Sequence, residues 1–232
     1  MTTKSPYNEL LTIGKATAEN KAWTKYAEYC FDRDKGLRKE AFVHLNEFLK
    51  STESWTEDDK IKFVSFLSPF YESDRYCPFP YPLSEKLIKP TLEKWCLKEM
   101  ADSRPFRWYG KFYYAYEYFE KALKINPQDE QARLVLLKKR MYYLWYSVHE
   151  LPDGYLGEPK EDLLLIDELK VEIAKLTDIK MQQLWTNTLE NYTELVKNYI
   201  EWKKSGYSDL GKWGEANHKR VSLGVRTYYY DK

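Results

Sequence analysis

Residues 107–125 read RWYGKFYYAYEYFEKALKI. These nineteen positions contain no proline and one glycine, and eight of the first thirteen are aromatic. Trp108, Phe112, Ala115, Phe119 and Leu123 recur at helical spacing and form one stripe, while Tyr109, Tyr113 and Tyr116 form a second. A helix that is apolar on nearly every face is normally internal. The spacing therefore predicts a helix buried between two others, with tyrosine hydroxyls reaching loops or water; the competing reading is an exposed aromatic platform.

Outward from this stretch the chain stays poor in helix breakers. Of ten prolines, five (Pro69, Pro78, Pro80, Pro82 and Pro90) fall between residues 69 and 90, and glycine totals only nine. Upstream, Ala22, Tyr26 and Cys30 mark a helix over 17–31, and Ala41, Leu45, Phe48 and Leu49 mark another over 37–49. Ser54 and Glu57 have the spacing of a capping box that opens a third. The segment 71–82, YESDRYCPFPYP, cannot continue a helix, because its prolines remove backbone donors and hold their predecessors extended; it reads as an ordered loop or a linker packed on the protein's own core. Helical patterning resumes over 83–100, 128–149, 163–176 and 179–204. After Gly206, Val221, Leu223, Val225, Thr227 and Tyr229 alternate with mostly polar residues, which suits a strand or an extended docking segment.

The expected architecture is all-α, with about eight helices in stacked hairpins and a short extended C-terminal tail. Its parts are N-terminal hairpins over 1–75, a proline-rich loop over 76–90, a helical region over 91–205 and the tail over 206–232, forming one continuous domain. At 232 residues, with 17% aromatics, roughly 70–75% of the unfolded surface can be buried without staples. Three cysteines, Cys30, Cys77 and Cys96, with no Cys-x-x-Cys spacing, argue against a disulfide framework or a zinc site. No run of signal-peptide or membrane-spanning character occurs, so the expected location is cytoplasmic.

The net charge of +1 removes the global signature of a nucleic-acid binder, but charge is segregated along the chain. Residues 104–146 carry a local net of +5 and residues 148–178 a local net of −6. Neighbouring helices that attract each other explain this, and a partner surface of one sign is the alternative.

The stretch 114–127, YAYEYFEKALKINP, resembles the second helix and closing turn of a tetratricopeptide repeat. Ala115, Phe119, Ala122 and Pro127 supply the small, aromatic, small and proline positions at the family's spacings. Residues 41–50, AFVHLNEFLK, give a looser echo 74 residues upstream, with Leu45 in place of the aromatic and no closing proline. The resemblance implies an irregular helical-repeat module that binds a protein or peptide, with the helix over 128–149 lining a groove. Partner-binding candidates are then Leu134, Lys138, Met141 and Trp145 on that helix, with Tyr109 and Tyr113; the bland alternative makes Leu134, Met141 and Trp145 core and Lys138 their neighbour.

No catalytic motif is legible: there is no His-Glu-x-x-His, no Gly-x-Ser-x-Gly and no glycine-rich phosphate loop. His44, His149 and His218 are isolated in sequence, although His44 and Glu47 share a helix face. No catalytic residue, metal or cofactor is expected, and a homodimer is open. The leading expectation is non-enzymatic protein or peptide binding. Its rivals are a neutralising, inhibitor-type protein using the acidic run 158–172, and an enzyme or single-strand nucleic-acid binder without a recognisable motif.

Overall fold

The computed structural model describes residues 7–71, 79–98 and 102–224. Of these, 78% are helical and none form a strand. The chain divides into two compact units, Met1–Pro127 and Gln128–Lys232, so the boundary falls at the helix-stopping proline. The sequence reads as one continuous domain, with part boundaries at 75, 90 and 205.

The first unit contains α1 (Tyr7–Ala18), α2 (Thr24–Asp34), α3 (Arg38–Ser51) and α4 (Glu57–Leu67). After these, α5 (Tyr81–Leu83) passes through a π turn (Ser84–Ile88) into α6 (Lys89–Cys96), followed by α7 (Arg104–Tyr113) and α8 (Tyr116–Ile125). The second unit contains α9 (Glu130–Val148), α10 (Pro159–Ile173), α11 (Ile179–Ser205) and α12 (Leu210–Asn217). Eleven of these segments have eight residues or more, against about eight expected.

The surplus helices have local causes. The helix expected over 17–31 begins only at Thr24, because Asn20 caps a 3-10 turn by accepting from Ala22 N–H and a separate α1 precedes it. The helix expected over 107–125 is two helices. Tyr114 turns left-handed (φ 55°), and Ala115 N–H donates to the Gly110 carbonyl, closing α7. A Cβ at Gly110 would stand 2.9 Å from the Phe119 ring and 3.0 Å from the Ala115 carbonyl, so the ring of α8 rests directly on the backbone of α7. Trp108, Phe112 and Phe119 are buried as the stripe predicts, whereas Ala115 and Leu123 are half-buried. The third cap also moves. Thr56, not Ser54, caps α4: its hydroxyl accepts from Asp59 N–H at 3.2 Å and donates to Asp59 Oδ2 at 2.6 Å.

The first unit's core is an aromatic cluster around Phe63, joined by Tyr26, Phe48 and Trp108. Tyr71 and Phe79, which flank the proline-rich segment, pack edge to face at 5.0 Å, and Phe79 meets Phe112 at 4.8 Å. Residues 72–78, with Cys77, lie outside the described residues. The second unit has its own core from Leu137, Met141, Leu144, Ile166, Leu169, Leu195 and Trp213. Part of the expected extended tail is therefore helix: Leu210 and Trp213 bury against this core, and Asp209 caps α12. Val225, Thr227 and Tyr229 lie outside the described residues. Among the described residues no helix is long and apolar enough to cross a membrane.

Glu130 ties the start of α9 to the turn before α11. Its carboxylate accepts from the Thr177 hydroxyl at 2.7 Å, from Thr177 N–H at 2.8 Å and from Asp178 N–H at 3.3 Å, and these donors hold its pKa below the ordinary value. A carboxyl depressed in the folded state stabilises the fold above its unfolded pKa of about 4.3 and loses that contribution as pH falls through the folded value. Glu130→Gln is therefore expected to lower the urea midpoint at pH 7 and to converge with wild type near pH 3; an equal deficit at both pH values would assign the effect to packing.

Candidate functional site

A concavity lies in the second unit, between α10 and α11. No proline or glycine interrupts residues 179–205. Asp178 starts α11 by accepting from the N–H groups of Lys180 and Met181, and Gly206 stops it in a left-handed turn at φ 78°. The resulting 27-residue helix outruns α10 and leaves a groove of about 750 Å³ along their junction, a size suited to a small molecule or a few residues of peptide.

Ile173 and Leu189 are the buried apolar residues of its lining, while Gln183, Thr186, Glu190, Thr193 and Lys197 supply amide, hydroxyl and charged groups. The Gln182 amide donates to the carbonyls of Ile173 and Ala174 at 3.3 and 3.2 Å, satisfying the end of α10. Farther along α11, buried Asn198 donates to the Arg220 carbonyl at 2.7 Å, and Arg220 donates to Asn191 Oδ1 at 2.6 Å. Lys219 pairs with Glu201 at 3.4 Å, so the segment after α12 is pinned to α11. The lining includes no cysteine, serine or histidine. It offers amides, hydroxyls and both signs of charge for recognition of a polar ligand.

The sequence-derived candidates are distributed differently. On α9, Lys138 is exposed, Leu134 is half-buried against the second core, and Met141 is within that core at 3% exposure. Trp145 is half-buried and stacks on His149 at 4.4 Å and near Tyr142 at 5.2 Å. These four share one helical face, but they do not make one open stripe, because Met141 is packed into the second core. In the first unit Tyr109 and Tyr113 are half-buried in a tyrosine seam: Tyr109 stacks on Tyr118 at 4.3 Å and donates to Glu93 at 3.0 Å. Tyr113 Oη lies 3.0 Å from Ser84 Oγ, and Lys89 caps its ring. Burial and the Glu93 carboxylate push the Tyr109 hydroxyl up to about 12.

Periodicity contained signals that an apolar reading passes over. Gln182, Thr186, Glu190, Thr193, Lys197 and Glu201 recur every three or four residues and form the polar edge of the groove. On α9, Tyr142, Tyr143 and Tyr146 are exposed.

The charge segregation resolves partly into contacts between α9 and α10. Arg133 is buried and paired with Glu172, and Arg140 reaches Glu168 at 3.4 Å. Asp162 is buried and accepts from the Tyr155 hydroxyl, and Asp167 pairs with Lys170 at 2.8 Å. Much of the acidic run is thus engaged within the second unit. In the first unit, Glu28, His44 and Glu47 bring ligand atoms within 4.8 Å of one another, the set among the described residues able to hold a metal ion.

Compared with protein-family models, with curated proteins and with solved structures, the chain matches none of them.

Proposed function

We propose that this chain is a non-enzymatic binding module, an irregular array of helical hairpins of the tetratricopeptide kind, which holds a peptide or protein segment in the groove between α10 and α11. The carrying observation is the groove itself: an apolar floor at Ile173 and Leu189 beneath a rim of amides, hydroxyls and both signs of charge. A peptide presents the same mixture of apolar side chains, backbone donors and acceptors, and charges. The free thiols Cys30 and Cys96 suit a reducing cytoplasm. A neutralising role for the acidic run is the weaker reading, because Glu168 and Glu172 are paired with α9.

Selection of a random peptide library on the wild-type chain tests this, with Thr186→Arg/Thr193→Arg filling the groove. The expected result is a recurrent peptide whose affinity falls at least about tenfold, or 1.4 kcal/mol, in that variant. Recurrent binding that survives it but is lost in Lys138→Glu would move the site to α9. No enrichment over the filled variant would overturn the reading.

A further inference from the structure

Four groups converge on the α2–α3 hairpin. Glu28 and Asp32 lie four apart on α2, and His44 and Glu47 lie three apart on α3, so each helix turns one pair toward the other. His44 Nδ1 stands 3.0 Å from Glu28 Oε2 and 3.7 Å from Glu47 Oε2. Glu28 Oε2 and His44 Nδ1 are shut off from solvent, yet they are not aligned for a hydrogen bond with each other. On its far side the imidazole presents Nε2 to Asp32 Oδ2 at 3.4 Å. We propose that Glu28, His44 and Glu47 form a binding site for a divalent transition-metal ion of the zinc class.

The geometry fits on two counts. Zinc bonds of about 2.0–2.2 Å in a tetrahedron separate donor atoms by about 3.4 Å, and the two distances from His44 Nδ1 straddle that value. A carboxylate behind the imidazole is the usual outer partner of a ligating histidine: it holds the proton on one nitrogen and directs the other nitrogen's lone pair at the metal. Asp32 occupies that place. An imidazole among the donors favours zinc, copper or nickel over calcium or magnesium, which take oxygen ligands.

Lys25 is the resident competitor. Its Nζ lies 2.9 Å from Glu28 Oε2 and 3.0 Å from Glu47 Oε2, and its side chain is 44% exposed. An ammonium satisfies the carboxylates with a single charge and has no use for an imidazole lone pair. A divalent ion brings twice the charge and accepts that lone pair, so binding exchanges one cation for another as the flexible lysine swings into water. The site is distinct from the α10–α11 groove and stands whether or not that groove binds peptide.

The test is calorimetric titration of zinc chloride into the full chain, with cobalt(II) as a visible-absorption probe of coordination and circular dichroism to confirm that each variant is folded. The expected result is one ion per chain. Glu47→Gln and His44→Asn should weaken it severely, and Asp32→Asn by about 10–100-fold. Lys25→Met should tighten it by roughly 2–30-fold, the range that two exposed ion pairs represent. If His44→Asn does not fold, Glu47→Gln carries the loss and Lys25→Met the gain, which a merely structural cluster would not give. No stoichiometric binding, or binding that Glu47→Gln leaves unchanged, would overturn the proposal.

Discussion

Phe63→Ala is expected to cost about 3–5 kcal/mol, the upper range for truncating a buried side chain. Phe63 is fully buried on α4, and its ring is the hub of the aromatic core. It meets Tyr26 edge to face at 5.2 Å, Phe48 at 4.9 Å, Trp23 at 5.4 Å and Trp55 at 6.0 Å. Truncation forfeits the transfer energy of the ring and leaves a void lined by large rigid rings that cannot collapse into it. Each lost ring pair adds about 0.5–1.5 kcal/mol beyond buried area. Phe63→Leu retains most of the volume and should cost distinctly less. Urea unfolding followed by tryptophan fluorescence reads both; a loss under about 1 kcal/mol for alanine would show a core able to repack, contrary to this arrangement.

Gly157→Ala should destabilise the second unit although it adds one methyl group. The loop between α9 and α10 folds back on α9, where Leu156 N–H donates to the Ser147 carbonyl at 3.0 Å. A Cβ at position 157 would collide with Ser147 Oγ and would stand 2.5 Å from Asp162 Oδ2 and 2.7 Å from Ser147 Cβ. The hydroxyl could rotate away, but Ser147 Cβ is fixed to the helix, and Asp162 is buried and engaged by Tyr155. The backbone must therefore yield, at about 1–3 kcal/mol for an overpacked site and toward the upper end here. A double-mutant cycle locates the cause: Ser147→Gly/Gly157→Ala should be less destabilised than the sum of its single changes. Strict additivity in thermal unfolding would place the strain elsewhere.

The helical class was legible because breakers cluster and apolar periodicity is strong in between. The limits of that reading are equally physical. The break at Tyr114 has neither proline nor glycine at the turn; it follows from Gly110 admitting the Phe119 ring, a contact between two elements that local spacing cannot register. Thr56 and Ser54 are both competent caps, but Ser54 ends the preceding 3-10 turn with its hydroxyl donating to the Ser51 carbonyl at 3.1 Å, which leaves Thr56 to cap α4. The helix over 210–217 was obscured by Gly211 and Gly214, and a Cβ at Gly214 would meet Val221 at 2.8 Å, so that glycine reflects close packing more than local flexibility. Of the candidate residues, Met141 was readable as core from its heptad relation to Leu134 and Val148. The groove is not legible in the sequence because its stripe is polar, and apolar periodicity marks the opposite side of the helix.

The pairing of α9 with α10 has a consequence beyond stability. The first helix carries Arg133, Lys138, Lys139 and Arg140 against Glu130, and the second carries Glu161, Asp162, Asp167, Glu168 and Glu172 against Lys160 and Lys170. The hairpin thereby holds a local electric moment running from α10 to α9. A charged surface would pull on one of these helices and push on the other, a torque on the hairpin that exists although the chain's net charge is only +1.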